Sequence, residues 1–220
     1  NIDARIAAGA TEAVKFTNGI DFSFGQMAMV ADTNNDNYKD LIFLNEHYFN
    51  IYYGKAAGSW TSPIDLSDTT NYDGTTNNKG FRVDVYSNRP SWMAANPLYG
   101  AFAADANNDG KIDFIFSDFS ANTNAGISFV SLQPSSGWDS IGTAGKINLF
   151  GDIFDGTGTG LPLNNDVSKG FRIDGSTSPY NYISLQGVAD INNDGKNDLL
   201  IMKAYSFAKL YIFFGRKLVP

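Results

Sequence analysis

Three stretches of this 220-residue chain each place three aspartates and at least two asparagines within nine residues. They read DTNNDNYKD at 32–40, DANNDGKID at 105–113 and DINNDGKND at 190–198, and all three share one register. The carboxylates of one loop repel one another unless something neutralises them. A pattern that recurs along a chain indicates one structural unit used several times. The loops therefore predict a repeat architecture with a cation bound in each unit.

Ca²⁺ is the cation that this pattern favours, because it takes about six to eight oxygen ligands from carboxylates, amides, backbone carbonyls and water. Positions 1, 3, 5 and 9 of each loop carry oxygen-bearing side chains, and position 7 would offer its backbone carbonyl. The candidate ligands are Asp32, Asn34, Asp36, Tyr38 and Asp40 in the first loop, Asp105, Asn107, Asp109, Lys111 and Asp113 in the second, and Asp190, Asn192, Asp194, Lys196 and Asp198 in the third. Gly110 and Gly195 at position 6 predict a turn with positive φ, and Asn37 is the next most tolerant residue there.

Surface turns without a metal are the alternative for any single loop, because Asp, Asn and Gly are common in turns. Three loops in one register favour the metal. The loops are not EF-hands, which need a Glu at position 12, where this chain has Phe43, Phe116 and Ile201. They hold nine of the 23 acidic residues, so three Ca²⁺ ions, adding +6, would change the formal net charge from −7 to −1.

Short apolar segments surround each loop and predict strands. Small residues precede the loops, buried strands such as LIFL follow them, and aromatic strands such as FNIYYGK come next. The first two repeats then end in KGFRVD at 79–84 and KGFRID at 169–174. Four short antiparallel strands per unit are typical of a propeller blade.

These segments resemble the bacterial FG-GAP repeats, which are relatives of the blades in integrin α-subunit β-propellers. The acidic loop, YYGK or FFG, and GFRVD or GFRID carry the resemblance, which covers most of residues 14–216. It implies a calcium loop between the first two strands of each blade. It also implies an extracellular or cell-surface location and a role in adhesion or ligand recognition. Asn37, the long repeats and the lack of a GFRID segment after FFGRKLVP depart from the family pattern.

We therefore predict an all-β fold, a propeller-like array of about three four-stranded antiparallel blades with calcium loops, in a single domain over residues 1–220. The blades are expected at about 20–86, 98–175 and 182–216. AVKFTNG at 13–19 has the apolar–basic–apolar character of the fourth strand that the third blade lacks. It would close that blade within its own chain or complete a neighbour's blade, or the chain is a fragment of a larger propeller. We favour completion of a neighbour's blade by residues near Val14 to Asn18.

Composition narrows the function classes. The sequence pI is about 4.5, and an acidic surface repels phosphate backbones, so nucleic-acid binding is not expected. No apolar run reaches the roughly 18 residues of a membrane span. With no cysteine and a single histidine, His47, the chain has little material for thiolate metal sites or nucleophilic triads. Trp60, Trp92 and Trp138 could stack on sugar rings, although the repeated positions of Trp60 and Trp138 favour packing within the blades.

Three functions remain open at this stage. The first is a calcium-binding, non-enzymatic extracellular module that binds a protein or glycan ligand. The second is a structural subunit whose partners are copies of itself, assembled into an oligomer or filament by strand donation. The third is a non-catalytic segment of a secreted enzyme.

Overall fold

A computed structural model of the chain describes residues 15–17, 28–44, 47–56, 59–60, 64–66, 68, 79–91, 93, 99–118, 126–138, 146–156, 166–175, 182–204 and 208–215. Within these ranges the protein is all-β, as the strand-like apolar segments predicted. An irregular π-helical turn lies at Leu149–Ile153. No helix among these residues has the length and apolar character needed to cross a bilayer.

Fourteen strands are found in the described residues. They are β1 (Phe16–Thr17), β2 (Ala28–Ala31), β3 (Asp40–Leu44), β4 (Tyr48–Tyr52), β5 (Ile64–Asp65), β6 (Gly80–Asp84), β7 (Tyr99–Ala104), β8 (Asp113–Asp118), β9 (Ile127–Ser131), β10 (Lys146–Asn148), β11 (Gly170–Asp174), β12 (Tyr182–Ala189), β13 (Asp198–Ala204) and β14 (Lys209–Phe213).

The strands form three main sheets and one small ribbon. Sheet I has the order β10-β6-β4-β3-β2, sheet II the order β11-β9-β8-β7, and sheet III the order β12-β13-β14. Sheet II and the last four strands of sheet I are antiparallel meanders, one for each of the first two sequence repeats. Strand β10 joins the edge of sheet I in parallel to β6, a pairing that the sequence pattern did not indicate.

Hydrophobic clusters lie on successive sheet faces. The largest joins sheet I to sheet II through residues such as Phe49, Phe81 and Phe114. A second joins sheet II to sheet III through Ile115, Val130 and Ile201 among others. Because successive side chains of a strand point to opposite faces, sheet II can contribute to both clusters. Both faces of β8 and β9 are therefore buried.

A third cluster covers the far face of sheet I. Phe16 of β1 packs against Phe43 and Tyr52, at ring-centroid distances of 5.6 and 5.8 Å, and the Trp60 ring stacks on Tyr52. Strand β1 pairs in parallel with β5 in a two-stranded ribbon that packs on sheet I. Completion of a neighbouring chain's blade by this segment stays a prediction. The remaining residues of the 13–19 segment, apart from Lys15, lie outside the described part of the chain.

Candidate metal centres

The three acidic loops occupy equivalent places in the fold. Each connects the first two strands of its repeat, namely β2 to β3, β7 to β8, and β12 to β13. All fifteen candidate ligand residues lie in described segments. Positions 5 and 6 are exposed in all three loops, whereas the aspartates at position 9 are buried and begin β3, β8 and β13.

The aspartate at position 1 organises each loop by accepting two backbone hydrogen bonds. In the second loop, Asp105 accepts N–H donation from Asp109 at 3.1 Å and from Gly110 at 2.9 Å. Asp32 and Asp190 accept from the same two positions of their own loops, at 2.8–3.1 Å. These bonds close the turn in the same way three times, so the common register in sequence is a common register in structure.

The side chains at positions 3 and 5 continue this pattern. The Oδ1 atoms of Asn34, Asn107 and Asn192 each accept the position-5 N–H, at 3.0–3.1 Å. The position-5 carboxylate then accepts the position-7 N–H through Oδ1, at 2.8–3.0 Å. Its second oxygen, Oδ2, lies near another nitrogen in every loop. That nitrogen is the amide Nδ2 of position 3 in the first and third loops, at 3.0 and 3.2 Å, and Lys111 Nζ in the second, at 3.5 Å.

Two residues of each loop have left-handed backbone conformations. Position 6 has φ values of 70° at Asn37, 85° at Gly110 and 82° at Gly195, so the predicted positive φ is confirmed and Asn37 adopts the turn that glycine adopts elsewhere. Position 4 is an asparagine with φ of 59–62° in all three loops, a conformation that was not predicted from the sequence. Asn is among the residues that tolerate this region best. The NN pair at positions 3 and 4 was the available signal.

The aspartates at position 9 link each loop to a distant part of its sheet. Asp113 is fully buried, and its Oδ2 accepts the N–H of Ala106 while its Oδ1 accepts the N–H of Gln133, both at 2.9 Å. Asp40 is bonded to Thr33 and Gly54, and Asp198 to Ile191 and Gly215, in the same arrangement. Each carboxylate therefore joins position 2 of the loop to the chain just beyond the third strand.

The pKa values of these aspartates are shifted in different directions among the repeats. Burial raises the pKa of Asp113 to about 7, although two backbone N–H donors oppose the shift. Burial also raises the pKa of Asp40, against hydrogen bonds from Thr33 and Gly54. The Gly215 N–H lowers the pKa of Asp198. The second repeat thus places its carboxylate in the most strongly desolvated of these three positions.

The oxygen atoms of each loop are of the kinds that a hard cation such as Ca²⁺ takes as ligands. Every loop offers carboxylate and amide oxygens and a backbone carbonyl at position 7, and each ionised carboxylate has about four lone-pair sites, enough to accept N–H groups and contact a cation. Among the described residues, no three acidic or histidine side chains already converge on one point. The carboxylates point toward loop N–H groups, so the position-5 Oδ2 would exchange its nitrogen neighbour for the ion.

Side chains also connect one loop to the next. Gln133 donates from Nε2 to the Thr33 carbonyl at 2.8 Å and accepts the Ile112 N–H through Oε1, so it joins the first and second loops. Asn197 Nδ2 donates to the Asp105 carbonyl at 2.8 Å, and Asn108 bonds the backbone of Asn197 through both its amide atoms. The sequence carried no signal for these links, because their partners are 89–100 residues apart.

The other side chains singled out in the sequence have packing roles where they are described. Trp138 is buried against Phe114 and donates from Nε1 to the Ile112 carbonyl. Trp60 is part of the cluster on sheet I, with Lys55 Nζ 5.1 Å from its ring centroid. These positions confirm the packing interpretation of both residues. His47 lies against Tyr86, and Trp92 lies outside the described residues.

No protein-family model matches the sequence, and no curated protein matches it at a significant level.

Proposed function

We propose that each acidic loop binds one Ca²⁺ ion and that the ions stabilise the fold. The observation that carries this proposal is the threefold recurrence of one loop design. The position-1 carboxylate accepts two loop N–H groups, positions 4 and 6 are left-handed, and the side-chain oxygens of positions 3 and 5 each accept a further loop N–H. Turns of unrelated origin would not share the conformation of every position.

The proposed architecture is a propeller-like array of three blades of the FG-GAP type. Two antiparallel four-strand meanders that pack face to face, followed by a three-strand sheet, support this assignment. The acidic loops lie between the first and second strands, where the resemblance places calcium. The proposal does not require a closed ring.

The function that we propose is that of a calcium-stabilised, non-enzymatic binding or adhesion module located outside the cell or at its surface. Millimolar extracellular calcium would keep loops of modest affinity filled. The mostly buried side chains of sheets I and II leave the loops and strand edges as the available contact surfaces.

Calcium dependence is tested by thermal unfolding in excess chelator, in Ca²⁺ and in Mg²⁺. Ca²⁺ binds only the ordered loop, so it should raise Tm, and titration calorimetry should count about three ions per chain. Mg²⁺ should restore Tm poorly, because it demands a stricter octahedral geometry. Identical melting curves in chelator and in Ca²⁺ would contradict the proposal.

A second candidate function, a structural subunit assembled by strand donation, is favoured by one observation. The last strand, β14, is exposed along its whole length and lies at a sheet edge. Exposed edges are templates for the addition of another strand. Light scattering of the intact chain over a range of concentrations separates this candidate from a monomeric binding module.

A further inference from the structure

Strand β14 exposes apolar side chains at the edge of sheet III, where a neighbouring element usually covers them. Its residues and the next one are exposed, with exposed fractions of 58% at Leu210, 55% at Phe213 and 60% at Phe214. Within the described residues β14 pairs with β13 alone, so its other edge faces no strand. Contiguous exposed apolar residues on a sheet edge mark interaction sites more often than isolated ones do.

The first two repeats show what this edge is built to accept. In sheet I, the third strand, β4, pairs with β6, and in sheet II the third strand, β9, pairs with β11. Both added strands have the pattern Gly-Phe-Arg-aliphatic-Asp. The bonds continue past the strand ends, where Tyr53 donates to the Lys79 carbonyl and Leu132 to the Lys169 carbonyl, at 2.7 and 2.9 Å. Phe214 is the equivalent residue of the third repeat.

The register between these strands also explains their glycine. A Cβ at Gly80 would collide with the carbonyl of Ile51, and one at Gly170 would collide with the carbonyl of Val130. In each repeat the position-9 aspartate accepts the N–H of the second residue after the third strand, which is Gly54, Gln133 or Gly215. Counting back three residues from each donor aligns Ile212 of β14 with Ile51 and Val130. A strand that pairs with β14 in the same register therefore needs a glycine opposite Phe213.

The remaining positions of β14 complement the rest of the pattern. In this register the phenylalanine of the added strand would lie opposite Ile212 and its arginine opposite Tyr211. Its aliphatic residue would lie opposite Leu210, and its aspartate opposite Lys209. Sheet I gives a precedent for the arginine, because Arg82 bonds the directly opposed Asn50 at 2.7 Å and lies 4.7 Å from the Tyr48 ring centroid. Opposite charges and aromatic contacts across strands each stabilise a pair.

No copy of the pattern is left in the chain to fill this position. Its two copies are already paired as β6 and β11, and the N-terminal strand β1 is paired with β5. We propose that the edge of β14 binds an extended strand of the pattern Gly-Phe-Arg-aliphatic-Asp, supplied from outside these 220 residues. This inference concerns the same sheet edge as the second candidate function, but it does not require self-assembly, and it gives the added strand its chemical identity.

The test is a titration of the intact, calcium-loaded chain with an acetylated peptide of residues 168–175, SKGFRIDG. Backbone amide NMR signals of residues 209–214 should shift in a saturable manner, and their hydrogen exchange should slow. A peptide with valine in place of its first glycine, which corresponds to Gly170, should lose binding, because the valine side chain would collide with the Ile212 carbonyl. Lys209→Glu should weaken binding about fivefold, and a peptide with lysine in place of the aspartate should recover the loss on that variant.

Three outcomes would overturn the inference. The first is that binding does not saturate at about 1 mM peptide. The second is that the valine peptide binds as tightly as the glycine peptide. The third is that the amides of residues 209–214 are already protected from hydrogen exchange in the chain alone. Lys209 is exposed, so its substitution tests recognition without removing a core contact. A monomeric chain that binds the peptide would refute self-assembly and keep the inference. A chain that polymerises but does not bind the peptide would support self-assembly and refute the inference.

Discussion

Strands β9 and β14 occupy the same place in successive repeats but differ in burial. All five residues of β9 are buried, including Ser128 and Ser131, whereas all five residues of β14 are exposed, including Leu210 and Phe213. The more apolar strand is thus the more exposed one. Strand β9 has a strand on each side and a sheet against each face, while β14 has a strand on one side only within the part of the chain that the structure describes. Burial in this fold is decided by the neighbours of a strand rather than by its own composition.

The largest test of this comparison truncates an aromatic residue at the same position of each strand. Phe129 in β9 contacts Phe116, Phe150 and Phe154, at ring-centroid distances of 4.8–5.3 Å. Phe129→Ala should lower the free energy of unfolding by about 3–5 kcal/mol, because it opens a cavity in a packed core. Tyr211→Ala in β14 should change it by less than about 0.5 kcal/mol. Urea unfolding of both variants measures the difference, and equal losses would mean that β14 is covered in solution.

A smaller effect is expected at the base of the second loop. Asp113→Ala leaves the N–H groups of Ala106 and Gln133 without their acceptor in a buried site. In excess chelator this variant should lose about 2–3 kcal/mol. Asp109→Ala is the matched control, because Asp109 is exposed and its main contacts are local, so it should lose less. If Asp109→Ala costs as much without calcium, position 9 is not the structural anchor of the loop.

The smallest effect concerns the outer edge of sheet I, where β10 pairs with β6. Lys146 of β10 lies 2.8 Å from the buried Asp84 carboxylate of β6. Lys146→Met should cost about 2 kcal/mol at neutral pH, less than a fully buried pair, because the lysine is partly exposed.

The same pair predicts a pH dependence. Burial alone would raise the pKa of Asp84, but Lys146 and the Ser87 and Tyr86 N–H groups outweigh it and lower the pKa. The stabilisation from a lowered carboxyl pKa is present above the ordinary value near 3.8 and is lost as the pH falls through the folded pKa. The cost of Lys146→Met should therefore shrink below about pH 4, as acid unfolding curves of both proteins would reveal. A cost that does not change with pH would exclude the ion pair as its cause.

Local patterns in the sequence predicted much of this fold. The strands after each acidic loop, the GFRVD and GFRID strands and the left-handed turn at position 6 all follow from short-range residue preferences. Long-range pairing was harder. The sequence indicated neither the parallel addition of Lys146–Asn148 to sheet I nor the pairing of Phe16–Thr17 with Ile64–Asp65. Two- and three-residue strands carry too little periodicity to specify a partner far along the chain.

The loops show the same division between local and distant information. Spacing alone identified the residues at positions 1, 3, 5 and 9. It did not reveal that both carboxylate oxygens of Asp113 accept backbone N–H groups, because one of the donors, Gln133, lies 20 residues away. Ligand spacing predicts which residues belong to a loop, whereas the fold decides which atoms of those residues are already engaged.

The links through Gln133 and through Asn108 and Asn197 make the three loops one thermodynamic unit. Ordering the second loop places Gln133 against Thr33 in the first loop and Asn108 against Asn197 in the third. If each loop binds Ca²⁺ as proposed, an ion bound in one loop lowers the entropic cost of ordering its neighbours, and by linkage an ion in a neighbouring loop lowers the cost of ordering the first by the same free energy. We expect the ions to bind with positive cooperativity, so that the module responds to calcium as a switch rather than as three independent buffers.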